Sequence, residues 1–267
     1  MQLRKAERKN AKIKAAITGP SGSGKTYSSL LLAKGLTDWK NIAVIDTENG
    51  SADLYAHLGN YSVISLKEHK PDKYIEAIEM CEKAGIEVVI IDSITHEWQW
   101  CKDYHSSLPG NSFTNWGKVT PLHDKFLKKI LNSDVHVIAT MRTKQDYILQ
   151  DKNGKKVPEK VGLKTVQRDG MDYEFTLVFD LDIKHNATVS KDRTNLFEDD
   201  IAFVISENTG DRIAEWCKKG TSKVDVIDMI GKAKKLEDLK SIWERYPEFH
   251  TDLKEAFGKK RALIEAA

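Results

Sequence analysis

The chain has 267 residues, 31% of them charged and 40% apolar, with a formal net charge of +2 at pH 7. That composition suits one folded core with a small appendage and announces no nucleic-acid partner through global charge. It leaves no helical membrane span, because an apolar run such as Val88–Ile91 is far too short.

Three cysteines (Cys81, Cys101 and Cys217) have neither metal nor disulfide spacing, and the N-terminal residues are charged, so a cytoplasmic location is expected. Residues 1–11 form a basic segment, where Arg4, Lys5, Arg8 and Lys9 face only Glu7. Beyond it, apolar runs alternate with helical periodicities, which argues for a parallel sheet covered by helices. Strands are expected at 13–18, 42–46, 61–65, 86–92 and 135–141, and helices at 25–36, 71–85, 93–105 and 117–132.

The stretch GPSGSGKT follows the first strand and opens the first helix. It is a complete phosphate-binding loop in its proper setting. In the loop Gly19, Pro20, Ser21, Gly22, Ser23 and Gly24, every residue but Pro20 can turn a backbone N–H toward a phosphate, and Tyr27 follows the loop as a further nucleotide contact. Lys25 is expected to reach the β- and γ-phosphates of ATP, and the Thr26 hydroxyl to bind Mg²⁺. Asp92 ends the buried strand VVIID, where it can help hold the same ion. Many such enzymes place a Glu directly after this Asp, but Ser93 stands there. The group that activates water is therefore sought in Glu48 of VIDTENG, with Asp46 and Glu97 as rivals. Thr140, at the end of VHVIATM, reads as a γ-phosphate sensor or as a strand-end Thr with no role.

From Arg142 to Arg168 the sequence carries eight basic residues and three acidic ones, with Asn153-Gly154 as a hairpin turn. Segments 173–183, 186–192 and 201–206 read as further, antiparallel strands, and a helix is expected at 211–218. In SKDR, Lys191 and Arg193 are two apart and project from one face of a strand. They are either a solvent-facing pair or a finger that reaches a neighbour's nucleotide. Residues 222–267 are helical throughout, with Ile227, Ile230, Leu236, Leu239, Ile242 and Trp243 at helical spacing. This tail reads either as a module for another protein or as packing for the core.

These residues resemble RecA-fold ATPases, and most closely the phage Sak-type single-strand annealing proteins. The resemblance runs over roughly 12–218 and rests on GPSGSGKT, IDTE, VVIIDSIT and GLKTVQRDGMDYEFTLVFDLD with HNATVSKDR. It implies a RecA-like α/β core (12–218) with a mainly parallel sheet, an antiparallel extension and a small C-terminal helical unit (222–267). It also implies a water-activating Glu on the strand before the Asp strand, matching Glu48, and a Lys-x-Arg pair acting across a subunit boundary, matching Lys191 and Arg193. Further implications are a ring or filament of identical subunits, single-stranded DNA as partner and a host cytoplasm if phage-encoded. RecA-type recombinases carry a Gln near the position of Thr140 and this chain does not, which points to annealing or mediator work rather than strand exchange.

DNA in such proteins is held by loops leaving the central strands. The counterparts here are 105–116 and a hairpin offering Lys144, Lys152, Lys155, Lys156, Lys160, Lys164 and Arg168, with Tyr147 for stacking. The expected activity is DNA-dependent ATP hydrolysis in annealing, recombination or replication, with a single-strand-binding or other recombination protein as a further partner. Two alternatives stand beside it: a small-molecule phosphotransferase, and a nucleotide-gated scaffold with little turnover.

Overall fold

The computed structural model describes residues 11–152, 155–218, 221 and 223–265, with the side chains of 145–162 and 248 outside that description. The basic segment 1–10 and the Asn153-Gly154 turn therefore lie outside the described residues. In chain order the elements are β1 (Lys14–Gly19), α1 (Lys25–Leu36), β2 (Ile42–Asp46), β3 (Ser62–Ser65), α2 (Pro71–Lys83), β4 (Val88–Asp92), α3 (Thr95–Ser107) and α4 (Ser112–Asn132). They continue with β5 (His136–Lys152), β6 (Lys155–Thr165), β7 (Leu177–Leu181), β8 (Ala187–Asp192) and α5 (Glu207–Lys218). The strands form one sheet in the order β3-β2-β4-β5-β1-β7-β8, with β6 paired to β5 alone.

Strands β3, β2, β4, β5, β1 and β7 are all parallel, and helices return the chain between most of them. Buried on both faces, the central strands read as unbroken apolar runs, as parallel strands do. Register then decides what meets at the carboxyl edge. Asp46 stands level with Asp92, Ile91 with Ala139, and Gly19 with Arg142. The phosphate loop, Asp92, Thr140 and the turn carrying Glu48 thus open onto the same edge, where open α/β sheets bind ligands.

The covering helices are fixed by packing. Tyr74 of α2 meets Phe126 of α4 with ring centres 5.0 Å apart, both fully buried. Removing either ring costs about 3–5 kcal/mol by the usual cavity penalty. Helices α1 and α5 touch backbone to backbone at Gly35 and Gly210. A Cβ on Gly35 would lie 2.7 Å from the Gly210 Cα and closer still to the Glu207 carbonyl.

The fold is the α/β class read from the residues, with three local corrections. The segment 173–183 shortens to β7, because 171–174 makes a helical turn, and β7 pairs parallel with β1 rather than antiparallel. Only β8 is antiparallel to it. Segment 201–206 is not a strand and leaves a single bridge, Ala187 to Phe203. Helix α4 starts at Ser112, a turn earlier than expected, because the Asn111 side chain accepts the Phe113 N–H at 2.8 Å. The stretch 105–116 is therefore two helix ends joined by a short turn rather than a long loop.

The chain divides into a unit of Lys12–Ala214 and a second unit that includes the residues from Glu215 onward. In the latter, α6 (Lys223–Lys232), α7 (Leu236–Arg245) and α8 (His250–Glu265) close around Val226, Ile230, Leu239, Tyr246, Leu253 and Phe257. Ile227 and Leu236 turn outward instead, with Val226 taking the inner position. No helix among the described residues is long and apolar enough to cross a membrane.

Candidate active site

The phosphate loop bends through Gly24, whose φ of 84° is open to glycine at little cost. A side chain there would also strike His185, whose Nδ1 lies 3.0 Å from the Ser23 carbonyl oxygen. Lys25 is buried, and its ammonium donates to the Gly19 and Pro20 carbonyls at 3.0 and 2.9 Å. Burial lowers its pKa, opposed by the charges of Asp92 and Glu48. A cation so held is ready to exchange loop carbonyls for phosphate oxygens.

Asp92 is 3% exposed. Its Oδ2 accepts the Thr26 hydroxyl at 2.5 Å and its Oδ1 accepts the Thr140 hydroxyl at 2.5 Å. Burial pushes its pKa up, while these two hydroxyls pull the other way. β5 lies between the strand of the loop and the strand of Asp92, so Thr140 is level with the carboxylate and orients it. Thr26 and Asp92 together offer hard oxygen donors at one point of the pocket, the donor set Mg²⁺ takes.

Glu48, Lys25, Thr26 and Asp92 line one pocket together with Ser21, Gly22, Gly24 and Tyr55. Tyr27 packs its ring 6.0 Å from that of Tyr55 and stays partly exposed. The rivals of Glu48 are occupied elsewhere. Asp46 spends its carboxylate on the backbone N–H groups of Glu48 and Ala52, at 2.6 and 3.1 Å, which shapes the turn that presents Glu48. Glu97 is fully buried, bound to His123 Nδ1 at 3.0 Å and to the Cys101 thiol at 3.2 Å.

Arg142 was not legible as a member of the site. It lines the same pocket, and its Nη2 and Nε bind Glu48 Oε1 at 2.7 and 3.0 Å. In sequence it is merely the first cation of a basic run, and only the register that sets it level with Gly19 gives it a place.

The sequence matches the AAA domain family over residues 11–212. The chain belongs to that family. No curated protein matches it. As an AAA domain it is of the P-loop ATPase type, and its loop, Asp92 and Glu48 occupy one pocket of the core.

Lys191 and Arg193 are not brought to that pocket. Lys191 stands opposite Val178, beside Leu177, and Leu177 is level with Ala15. Since the loop follows Gly19, the pair sits roughly 13 Å down the strands from it. Both cations do share a face: Lys191 Nζ and Arg193 Nη2 donate to the Tyr173 carbonyl, the latter at 3.2 Å.

Of the cations on the hairpin, the side chains of Lys152, Lys155, Lys156 and Lys160, and that of Tyr147, lie outside the described residues. Lys144 stands directly across from Lys164, which pairs with Asp169 at 2.8 Å, while Arg168 pairs with Asp124 at 2.8 Å. β5 runs without interruption from the core past Arg142 into this arm. Trp98 stacks on Trp116, 5.7 Å between ring centres, and Trp100 on Tyr104 at 5.0 Å.

Proposed function

We propose that the protein binds ATP with Mg²⁺ and hydrolyses it on single-stranded DNA, in the annealing, recombination or replication work of Sak-type proteins. The observation that carries this reading is the convergence of Lys25, Thr26, Asp92, Glu48 and Arg142 in one pocket. The Lys25 ammonium neutralises β- and γ-phosphate oxygens. Thr26 and Asp92 would hold Mg²⁺, which supplies charge neutralisation across the same oxygens.

Glu48 is the group placed to orient and deprotonate the attacking water. While it is bound to Arg142 its carboxylate oxygen is engaged and cannot take up a water, so the pair holds hydrolysis back. A γ-phosphate entering the pocket offers Arg142 a stronger anionic partner and frees Glu48 at the moment it is needed. Thr140 keeps Asp92 in orientation through its short hydrogen bond.

Two features support DNA as partner. The arm sets Lys144 directly across from Lys164 on a ladder rich in basic residues, the kind of cationic track that follows a single-stranded backbone. It also grows from the strand that carries Arg142, so an arm loaded with DNA and the pair at Glu48 share one strand. Lys191 and Arg193 lie down the strands from their own loop, on the Tyr173 carbonyl. In a ring or filament they would exchange that carbonyl for a neighbour's phosphate as a cationic finger, which calls for a homo-oligomer. The C-terminal helical unit is the segment available to a single-strand-binding or other recombination protein.

Glu48→Gln tests the assignment. ATP affinity should stay within about threefold while turnover falls by about a hundredfold or more. Unchanged turnover would remove Glu48 from the chemistry.

A further inference from the structure

A second cavity, about 510 Å³, adjoins the nucleotide pocket and shares Glu48 and Arg142 with it. Its remaining lining is Thr47, Asn49, Lys67, His69 and His96, with Lys67 as a second cation beside Arg142. Lys67 is exposed and, among the described residues, meets no carboxylate. His69 and His96 stack with ring centres 4.9 Å apart. His96 Nδ1 lies 2.7 Å from the Thr47 hydroxyl oxygen. The Thr47 hydroxyl donates to the Asp92 carbonyl at 3.1 Å, so Nδ1 of His96 is the donor in that bond and the ring lines the cavity as a wall. The one carboxylate in the lining, Glu48, is already engaged by Arg142. The cavity thus gathers donors and positive charge, has room for a tetrahedral oxyanion, and borders the point where a γ-phosphate would be cleaved.

We propose that this cavity is a phosphate subsite, which receives the phosphate cleaved from ATP and holds it on Lys67 and Arg142 before release. The inference rests on the ATPase reading above. It gives the Glu48–Arg142 pair a second duty, as the movable wall between the cleavage site and the exit.

Product inhibition reads the subsite directly. The inhibition constant of inorganic phosphate against ATP turnover would be measured for wild type, Lys67→Ala and Lys67→Arg, with ADP affinity as the control for an intact fold and nucleotide pocket. Loss of one charge-assisted contact should weaken phosphate about tenfold in Lys67→Ala, leave ADP affinity unchanged, and be largely restored by Lys67→Arg. An unchanged phosphate constant in Lys67→Ala overturns the proposal. So does a loss confined to retention of a single-stranded oligonucleotide, which would assign Lys67 to a chain phosphate instead. If the protein neither binds nor turns over ATP, the ATPase reading fails separately. Phosphorus NMR of inorganic phosphate with the nucleotide-free protein then decides the cavity alone: line broadening that depends on Lys67 supports it, and broadening independent of Lys67 refutes it.

Discussion

At the scale of single residues, the site turns on Glu48 and the cation that holds it. Sequence favoured Glu48 as the general base and kept Asp46 and Glu97 as rivals, because all three sit near strand ends. What separates them is where the other partners lie: backbone N–H groups for Asp46, His123 and Cys101 for Glu97, Arg142 for Glu48. None of these partners is near in sequence except for Asp46, whose bonds are local, and Cys101, one helical turn from Glu97. Arg142→Ala should lower the preference for a non-hydrolysable ATP analogue over ADP by about tenfold, the worth of one charged hydrogen bond. Calorimetric titration with both nucleotides checks it, and equal losses for the two would deny Arg142 any contact with a γ-phosphate. Glu97→Ala belongs to a different class. It leaves the His123 ring and the Cys101 thiol without their buried partner and should cost about 1–3 kcal/mol in urea unfolding, with nucleotide affinity measured on the folded protein unchanged.

At the scale of elements, strands β1, β2, β4 and the first part of β5 were legible because buried parallel strands leave unbroken apolar runs, with Asp46 and Asp92 closing two of them. What escaped was pairing. No local signal says that β7 joins β1 in parallel, or that a strand-like run at 201–206 makes one bridge only. The crossing of α1 and α5 was equally hidden, since Gly35 and Gly210 look like weak helix positions until the two backbones are seen to touch. Gly210→Ala should therefore destabilise by about 3 kcal/mol through overpacking, against a gain of at most about 1 kcal/mol from helix propensity. A stabilised variant in thermal or urea unfolding would show that the two helices separate freely.

At the scale of the whole molecule, acid stability and assembly are the accessible readouts. His136 is half-buried at the start of β5, accepts the Ile13 N–H at 3.1 Å, and has its pKa pushed down to about 3 by loss of solvent and by Lys12 and Lys14. The unfolded chain binds this proton near pH 6.5 and the folded chain does not, so stability falls as pH drops below that value. From pH 7 to pH 5 the loss should be about 2 kcal/mol. His136→Gln should flatten that limb of the urea-unfolding profile, and an unaltered slope would place the titration elsewhere. For assembly, Arg193→Ala subunits mixed with Lys25→Ala subunits create some interfaces with both parts intact. Turnover should return in the mixture, and its absence in assembled mixtures would count against a finger acting on a neighbour.

The link between the site and nucleic acid is tested most directly by ATP turnover with and without a single-stranded oligonucleotide at low salt. A rise of about tenfold, fading as salt displaces the chain from the basic arm, is the expected result. Equal rates, together with no retention of the oligonucleotide, would contradict it.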